Sequence, residues 1–320
     1  MAEDQMWEGQ MWVEAWSPEY GSSSEVDGGL ASSDEEVDPF VETTDWRAIV
    51  PGPSGHPAAA FIDGVDRVDA RAFFGGGAAT SPGLFGSVAA GAVVVDGGRA
   101  RFETCEVQRW SVFGGGADPR VRPFSSAITY RGRSIPGTRP EELRNELQKS
   151  RSDLEEDLAR RLAREGMLVI ADGPLRVREP VNLVGYIKSH QKTYLSPGHA
   201  PVALALACGE RTPIFGFGRI RPRYSWYTRI AAAPNQHPWA AIARCEVSTT
   251  VGLQRAIGLA DLVTHHLPRF ASKAFWDTRA PQNLVPIATL ERKLWSLLGD
   301  RDLVMRRIRS GVRAGGRADA

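Results

Sequence analysis

Two apolar runs in this chain, Ala60-Phe61-Ile62-Asp63-Gly64 and Leu168-Val169-Ile170-Ala171-Asp172-Gly173, stop at the same dipeptide, Asp-Gly. A helical pattern over 140–165 immediately precedes the second run. Pro140, Glu141 and Glu142 stand in its first turn, Leu143, Leu147, Leu154, Leu158 and Leu162 mark its apolar positions, and Gly166 stops it. An apolar strand that ends at a carboxylate and then a glycine places a charged oxygen at a sheet edge and frees the backbone to turn away. Two such ends can share a hard divalent cation, which takes oxygen ligands. A centre of that kind supports metal-assisted phosphodiester hydrolysis. One Asp-Gly alone is ordinary turn chemistry, so the weight falls on the pair and on the acidic helix between them.

The remaining elements follow from pattern. Ala58–Asp63 reads as the first strand, followed by a Gly-rich stretch from Gly75 to Gly86. Ser87–Val95 and Ala100–Val112 read as a hairpin turned at Asp96-Gly97-Gly98. A loop-rich region with a short strand at Ala127–Tyr130 leads to the helix, and Met167–Asp172 follows it. Strand, strand, strand, helix, strand is the order of an RNase H-like core, in which the first strand and the strand after the crossover helix lie side by side. The expected fold class is therefore α/β, an RNase H-like mixed sheet with flanking helices. Leu183–Ile187 is a further strand ending at Lys188, and Ala200–Ala207 fits strand or helix. Tyr224–Ala231 and Ala240–Val247 pair through a connection over 234–238. Helices are expected over 250–267, 284–298 and 301–309.

Charge divides the chain. Residues 1–46 hold thirteen of its 38 acidic residues and none of its 39 basic ones, so the rest carries 39 bases against 25 acids. That body suits a polyanionic partner, because Lys and Arg gain affinity by releasing phosphate counterions; an Arg-favouring genome would give the same composition. Residues 1–45 read as a disordered acidic tail, 46–310 as one folded domain, and 311–320 as a basic disordered tail. Trp7, Trp12 and Trp16 suit either a plain solubilising tail or one that docks on a basic surface. No apolar run is long enough to span a membrane and no secretory signal is recognisable. Three cysteines, far apart and without a CxxC pair, give neither a disulfide framework nor a zinc cluster. A cytoplasmic protein is expected.

Asp63 and Asp172 are the first candidate metal ligands. Among the helical acids Asp153, Glu155, Glu156 and Asp157, Glu155 lies nearest the buried face, at helical spacing with Leu158, Ala159 and Leu162. Arg219, Arg221, Arg223 and Arg229, interleaved with Phe217, Tyr224, Trp226 and Tyr227, form the best nucleic-acid-binding stretch, since stacking plus phosphate contacts suits single strands. The same residues also suit a strand whose inward face holds Trp226 and Ile230. Neither Gly75-Gly76-Gly77 nor Gly114-Gly115-Gly116 leads into Gly-Lys-Ser or Gly-Lys-Thr, so no ATP site is apparent. Pro82-Gly83-Leu84-Phe85-Gly86 fits an exposed apolar loop for a partner, or a buried anchor.

Ile62-Asp63-Gly64, the helix bearing Glu155, Val169-Ile170-Ala171-Asp172-Gly173-Pro174-Leu175 and Val184-Gly185-Tyr186-Ile187-Lys188-Ser189 resemble, in order, the motifs of the NurA family of nucleases. The similarity extends more thinly to Trp226-Tyr227-Thr228-Arg229-Ile230 and Pro281-Gln282-Asn283-Leu284. The resemblance implies a homodimer that hydrolyses DNA with manganese or magnesium, beside a HerA-like hexameric ATPase that moves the DNA. It implies Asp63, Glu155 and Asp172 as metal-binding acids and Lys188 near the scissile phosphate; together with the arginine-rich stretch read above, the expected DNA contacts are Lys188, Arg219, Arg221, Arg223, Tyr227 and Arg229. The chain departs from the family near its C-terminus. Family members carry Tyr-Pro-x-x-Leu and then Ala-His; here the positions read Ala280-Pro281-Gln282-Asn283-Leu284 and Ile287-Ala288. Glu291, three residues past Ala288, is the residue that could replace the missing His as an oxygen ligand. A protein that keeps the fold but binds without cutting is the alternative.

Overall fold

The computed structural model describes residues 10–13, 31–32, 36–53, 55–76, 79–118, 128–188, 192–233, 238–273, 275 and 280–316. Its centre is an eleven-stranded mixed sheet. β1 (Ala59–Gly76), β2 (Ala79–Asp96) and β3 (Arg99–Phe113) form an antiparallel meander, and β4 (Arg131–Ser134) pairs in parallel with β3. α1 (Pro140–Arg164) crosses back over the sheet and delivers β5 (Leu168–Asp172) parallel to β1; β6 (Leu183–Ile187) adds parallel to β5. β7 (Phe215–Phe217), β8 (Arg223–Arg229) and β9 (Ile242–Ser248) make a second antiparallel set that joins the sheet through β9 against β6. The run β3-β2-β1-β5-β6 is the expected RNase H-like order.

Helices cover both faces. Leu158, Ala159, Leu162 and Ala163 of α1 pack on Ala60, Ile62, Ala92, Val94 and Val169. The alternate residues of the same strands, Phe61, Leu168 and Ile170, meet α2 (Leu253–His266) through Ala256, Leu259 and Val263. α3 (Val285–Leu298) seats Leu290, Leu294 and Leu298 on Val65, Ala89 and Val93. Residues of β1 and β5 are thus buried on both sides, which explains apolar runs without polar alternation.

Several expectations need correction. β1 does not end at Asp63 but continues thirteen residues to Gly76, and Pro82–Gly86 lies inside β2, with Leu84 and Phe85 buried. The glycines that suggested a loop are places of close approach: a Cβ at Gly83 would lie 2.3 Å from the Phe113 ring, and one at Gly86 2.5 Å from Leu147. Of the strand expected at Ala127–Tyr130, Ala127 lies outside the described residues, Ile128 forms only a bridge, and the strand in this region is β4. Residues 200–204 are a short helix. α4 (Arg301–Gly316) outruns its predicted end at Arg309, because Val304, Ile308 and Val312 form one stripe buried against Phe85 and Phe113. Order also reaches upstream of Trp46. Val37–Asp38 pairs with β7, and Glu42 grips the buried Arg211 with both carboxylate oxygens at 2.8 Å. The tryptophans at 7 and 16, the connection at 234–237 and the last four residues lie outside the described residues, as does most of 1–35.

Candidate active site

The site forms where two strands part. β1 and β5 pair from Ala59–Leu168 to Ile62–Ala171 and no further. Beyond that point β1 runs on as Asp63-Gly64, while Gly173, at φ 91°, turns the other chain away. What ends at Asp63 is therefore the pairing rather than the strand. The gap opens a cavity of about 530 Å³ lined by Asp63, Glu155, Asp172, Lys188, Arg151 and Arg176, among others.

Each acid is held differently. Asp63 Oδ1 accepts the Gly64 N–H at 2.7 Å. Asp172, the last residue of β5, accepts Lys188 Nζ on Oδ2 at 2.7 Å, and its Oδ1 is buried with no hydrogen-bond partner among the described residues. Glu155 reaches in from α1 and lies flat on the β1 backbone; a Cβ at Gly64 would come within 2.2 Å of its Oε1. That oxygen faces Arg151 Nε at 3.4 Å, and Arg151 also approaches Asp66 at 3.6 Å. Burial, reinforced by the Asp172 and Glu155 charges, pushes the Asp63 carboxyl up to about 8. Burial likewise pushes Glu155 up to about 7; the Arg151 charge acts against it and the Asp172 charge adds to it.

The arrangement fits a cation in its chemistry. Three carboxylates of the hard-oxygen type share one cavity, they repel one another when ionised, and one buried oxygen lacks any donor among the described residues. Among the described residues no three such side chains stand close enough to hold an ion as they are placed. As placed, Glu155 faces Arg151 at 3.4 Å and Asp172 is held by Lys188 at 2.7 Å.

Sequence reasoning missed the site's cationic half. Arg151 sits one helical turn before Glu155, and Arg176 follows the Asp172-Gly173 turn. Arg244 lies on β9 opposite Ile187 and joins Glu246 Oε2 at 2.6 Å. Asn283 was also missed: its Oδ1 accepts Lys188 Nζ at 3.1 Å, so one ammonium bridges Asp172 and the 281–284 segment. Tyr186 fixes that segment by donating to Gln282 O at 2.6 Å. Glu291 is half-buried on α3 and does not line the cavity.

The candidate DNA contacts divide. Arg219 and Arg221 are exposed and line a neighbouring groove of about 650 Å³, which shares Pro174, Tyr194 and Arg244 with the carboxylate cavity. Tyr227 is 1% exposed and Arg223 3%, both within the core side of β8. Arg223 donates to Leu175 O at 2.8 Å, and Arg229 donates to the carbonyls of Leu204, Leu206 and Ala240. Tyr227 and Arg229 are engaged within the fold and line neither cavity, whereas Arg223, although tied to Leu175 O, lines the groove beside Arg219 and Arg221.

These features define an RNase H-like core with a cavity of carboxylates and basic side chains at its central strand break. No family model and no curated protein sequence matches the chain. Among solved structures, the NurA nuclease from Sulfolobus solfataricus is similar, with a TM-score of 0.50 and 11% identity, over 84% of this chain and 88% of that one. The likeness at that identity is one of fold: the chain has a NurA-like fold.

Proposed function

We propose that this chain is a metal-dependent DNA nuclease of NurA type. The observation that carries the reading is the meeting of Asp63, Glu155 and Asp172 in one cavity beside Lys188, with Asp172 Oδ1 buried and unpartnered. The likeness of the fold to a NurA nuclease supports it. Asp63, Glu155 and Asp172 would hold manganese or magnesium. Such an ion, when bound, polarises the phosphoryl oxygens and lowers the pKa of the attacking water. The chain's own residues do the rest. Lys188, fixed between Asp172 and Asn283, presents a positive charge at the cavity where the scissile phosphate would lie. Arg151 and Arg176 add charge for the flanking phosphates, and Arg219 and Arg221 lead a strand toward the cavity. Because the sequence has no phosphate-binding loop for ATP, movement along DNA would come from a HerA-like hexameric ATPase, with the nuclease as a homodimer in end processing or repair.

A second reading has its own observation. The Tyr and His of the family's C-terminal motif are absent, and Glu291 does not reach the cavity in their place. A binding subunit that docks on DNA or the translocase without cutting would keep everything else. A nuclease assay on end-labelled DNA with manganese separates the two. Wild type is expected to cut, and Asp63→Ala and Asp172→Ala to lose more than about 100-fold, the upper end of what removing an outer-shell partner costs. Retained cutting in both variants would dismiss these acids. An inactive wild type, with DNA and ATPase partner present, would favour the binding subunit.

A further inference from the structure

Thirteen acidic residues precede residue 47, and residues 36–46 at the end of that segment are fastened beside the basic groove. Val37–Asp38 forms an edge strand on β7, pairing with Phe217 and Gly216. Glu42 locks Arg211, which is 1% exposed, and Trp46 Nε1 donates to Pro39 O at 2.7 Å. Further upstream, the backbone of Ala31–Ser32 pairs in parallel with Lys192–Thr193, immediately before the groove residue Tyr194. Between these two anchor points the sequence reads Ser33-Asp34-Glu35-Glu36. Glu36 lines the groove and approaches Arg219 Nε at 3.6 Å.

We propose that the acidic N-terminal segment is a built-in competitor for the groove formed by Tyr194, Phe217, Arg219, Ile220 and Arg221, occupying the place of an incoming single strand. The inference rests on the nucleic-acid reading above. An exposed carboxylate–guanidinium pair contributes little by itself, so affinity is not what makes such a competitor effective. Tethering is. Two backbone pairings and a buried ion pair anchor the chain on either side of this acidic run, and a short tether gives an effective concentration in the millimolar range. A nucleic acid engages the groove by displacing carboxylates from the same arginines. A DNA end brought up repeatedly or at high local density would win; a passing polyanion would not. The segment therefore selects for substrate that is delivered.

The test uses the full chain without divalent metal, so that nothing is cut. Binding of a fluorescent single-stranded oligonucleotide is followed by anisotropy for wild type and for Asp34→Asn/Glu35→Gln/Glu36→Gln. The variant should bind roughly tenfold tighter at low salt, the worth of a few exposed ion pairs, and the gap should close as salt rises above 0.1 M, where the Debye length falls below about 10 Å. A charge-matched control, Glu141→Gln/Glu165→Gln/Asp302→Asn, alters exposed acids elsewhere and should change affinity far less. Equal affinity of wild type and variant, or equal tightening by the control, overturns the competitor and leaves the nuclease reading standing. Failure of wild type and variant alike to bind at any salt overturns both. Binding by the variant alone would support the proposal most strongly.

Discussion

At the scale of single residues, Asp63 carries the largest electrostatic load in the site. Its carboxyl is pushed up to about 8 by burial and by the charges of Asp172 and Glu155. An acid whose pKa is raised on folding is held in its protonated form by the native state. Below its ordinary value near 3.8 both states are protonated and stability is whole. As pH rises from there to about 8, the unfolded chain gives up its proton before the folded one does, and stability falls. In EDTA, wild type is therefore expected to lose thermal stability between pH 5 and 8. Asp63→Asn, which cannot ionise, should show a shallower decline and exceed wild type at pH 8. Parallel melting curves for the two proteins across that range would remove the strain assigned to Asp63. With manganese added at pH 8, wild type should gain stability in proportion to ion binding. Asp172→Ala should not, because the unpartnered oxygen that the ion would take is gone.

At the scale of elements, the long meander is held by a buried polar knot that no local pattern announced. The register slip between Val68 and Ala70 leaves Asp69 out of the β1–β2 ladder, fully buried. Its carboxylate accepts Arg67 Nε at 2.8 Å, Tyr130 Oη at 2.8 Å and Ser87 Oγ at 2.5 Å, with Arg109 at 3.7 Å. Arg67 and Arg109 in turn donate to the carbonyls of Leu298 and Gly299, capping the C-terminal end of α3 where cations are favoured. Asp69→Ala would strand the buried Arg67 guanidinium and the half-buried one of Arg109, so a loss of about 3–5 kcal/mol is expected in urea unfolding. A loss under about 1 kcal/mol, the scale of an exposed pair, would show that water already reaches the knot. The sequence made the crossover legible because the α1 leucines, the β5 and β6 runs and the Asp-Gly pair are local patterns. It concealed the knot and the cationic half of the site. Besides ion-pair partners two positions away, Asp69 and Arg244 meet residues 18 and 19 positions away, and Asn283 meets one 95 away. Glycines at 83 and 86 misled for a related reason: their purpose is to admit a ring and a leucine from other elements.

At the scale of the whole molecule, charge separates along the chain and then meets itself in space. The body's excess of arginine is only partly surface charge, since Arg211, Arg223 and Arg244 are buried in ion pairs and hydrogen bonds. Counting basic residues therefore overstates the electrostatic footprint, and the exposed pair Arg219 and Arg221 should carry a larger share of it. Counterion release makes this measurable, because each phosphate contact adds about 0.7 to the slope of log affinity against log salt for a single strand. Arg219→Ser/Arg221→Ser should weaken oligonucleotide binding and flatten that slope by roughly 1.4, two contacts at that value. Arg229→Ser should do something different. It removes donors from the carbonyls of Leu204, Leu206 and Ala240, so the melting temperature should drop while the salt slope of the folded fraction stays at the wild-type value. A slope unchanged by the double substitution would place the strand's path elsewhere on the surface. A slope flattened by Arg229→Ser would mean that the fold opens β8 to the ligand. Together the two variants separate arginines that meet phosphate from those that hold the sheet.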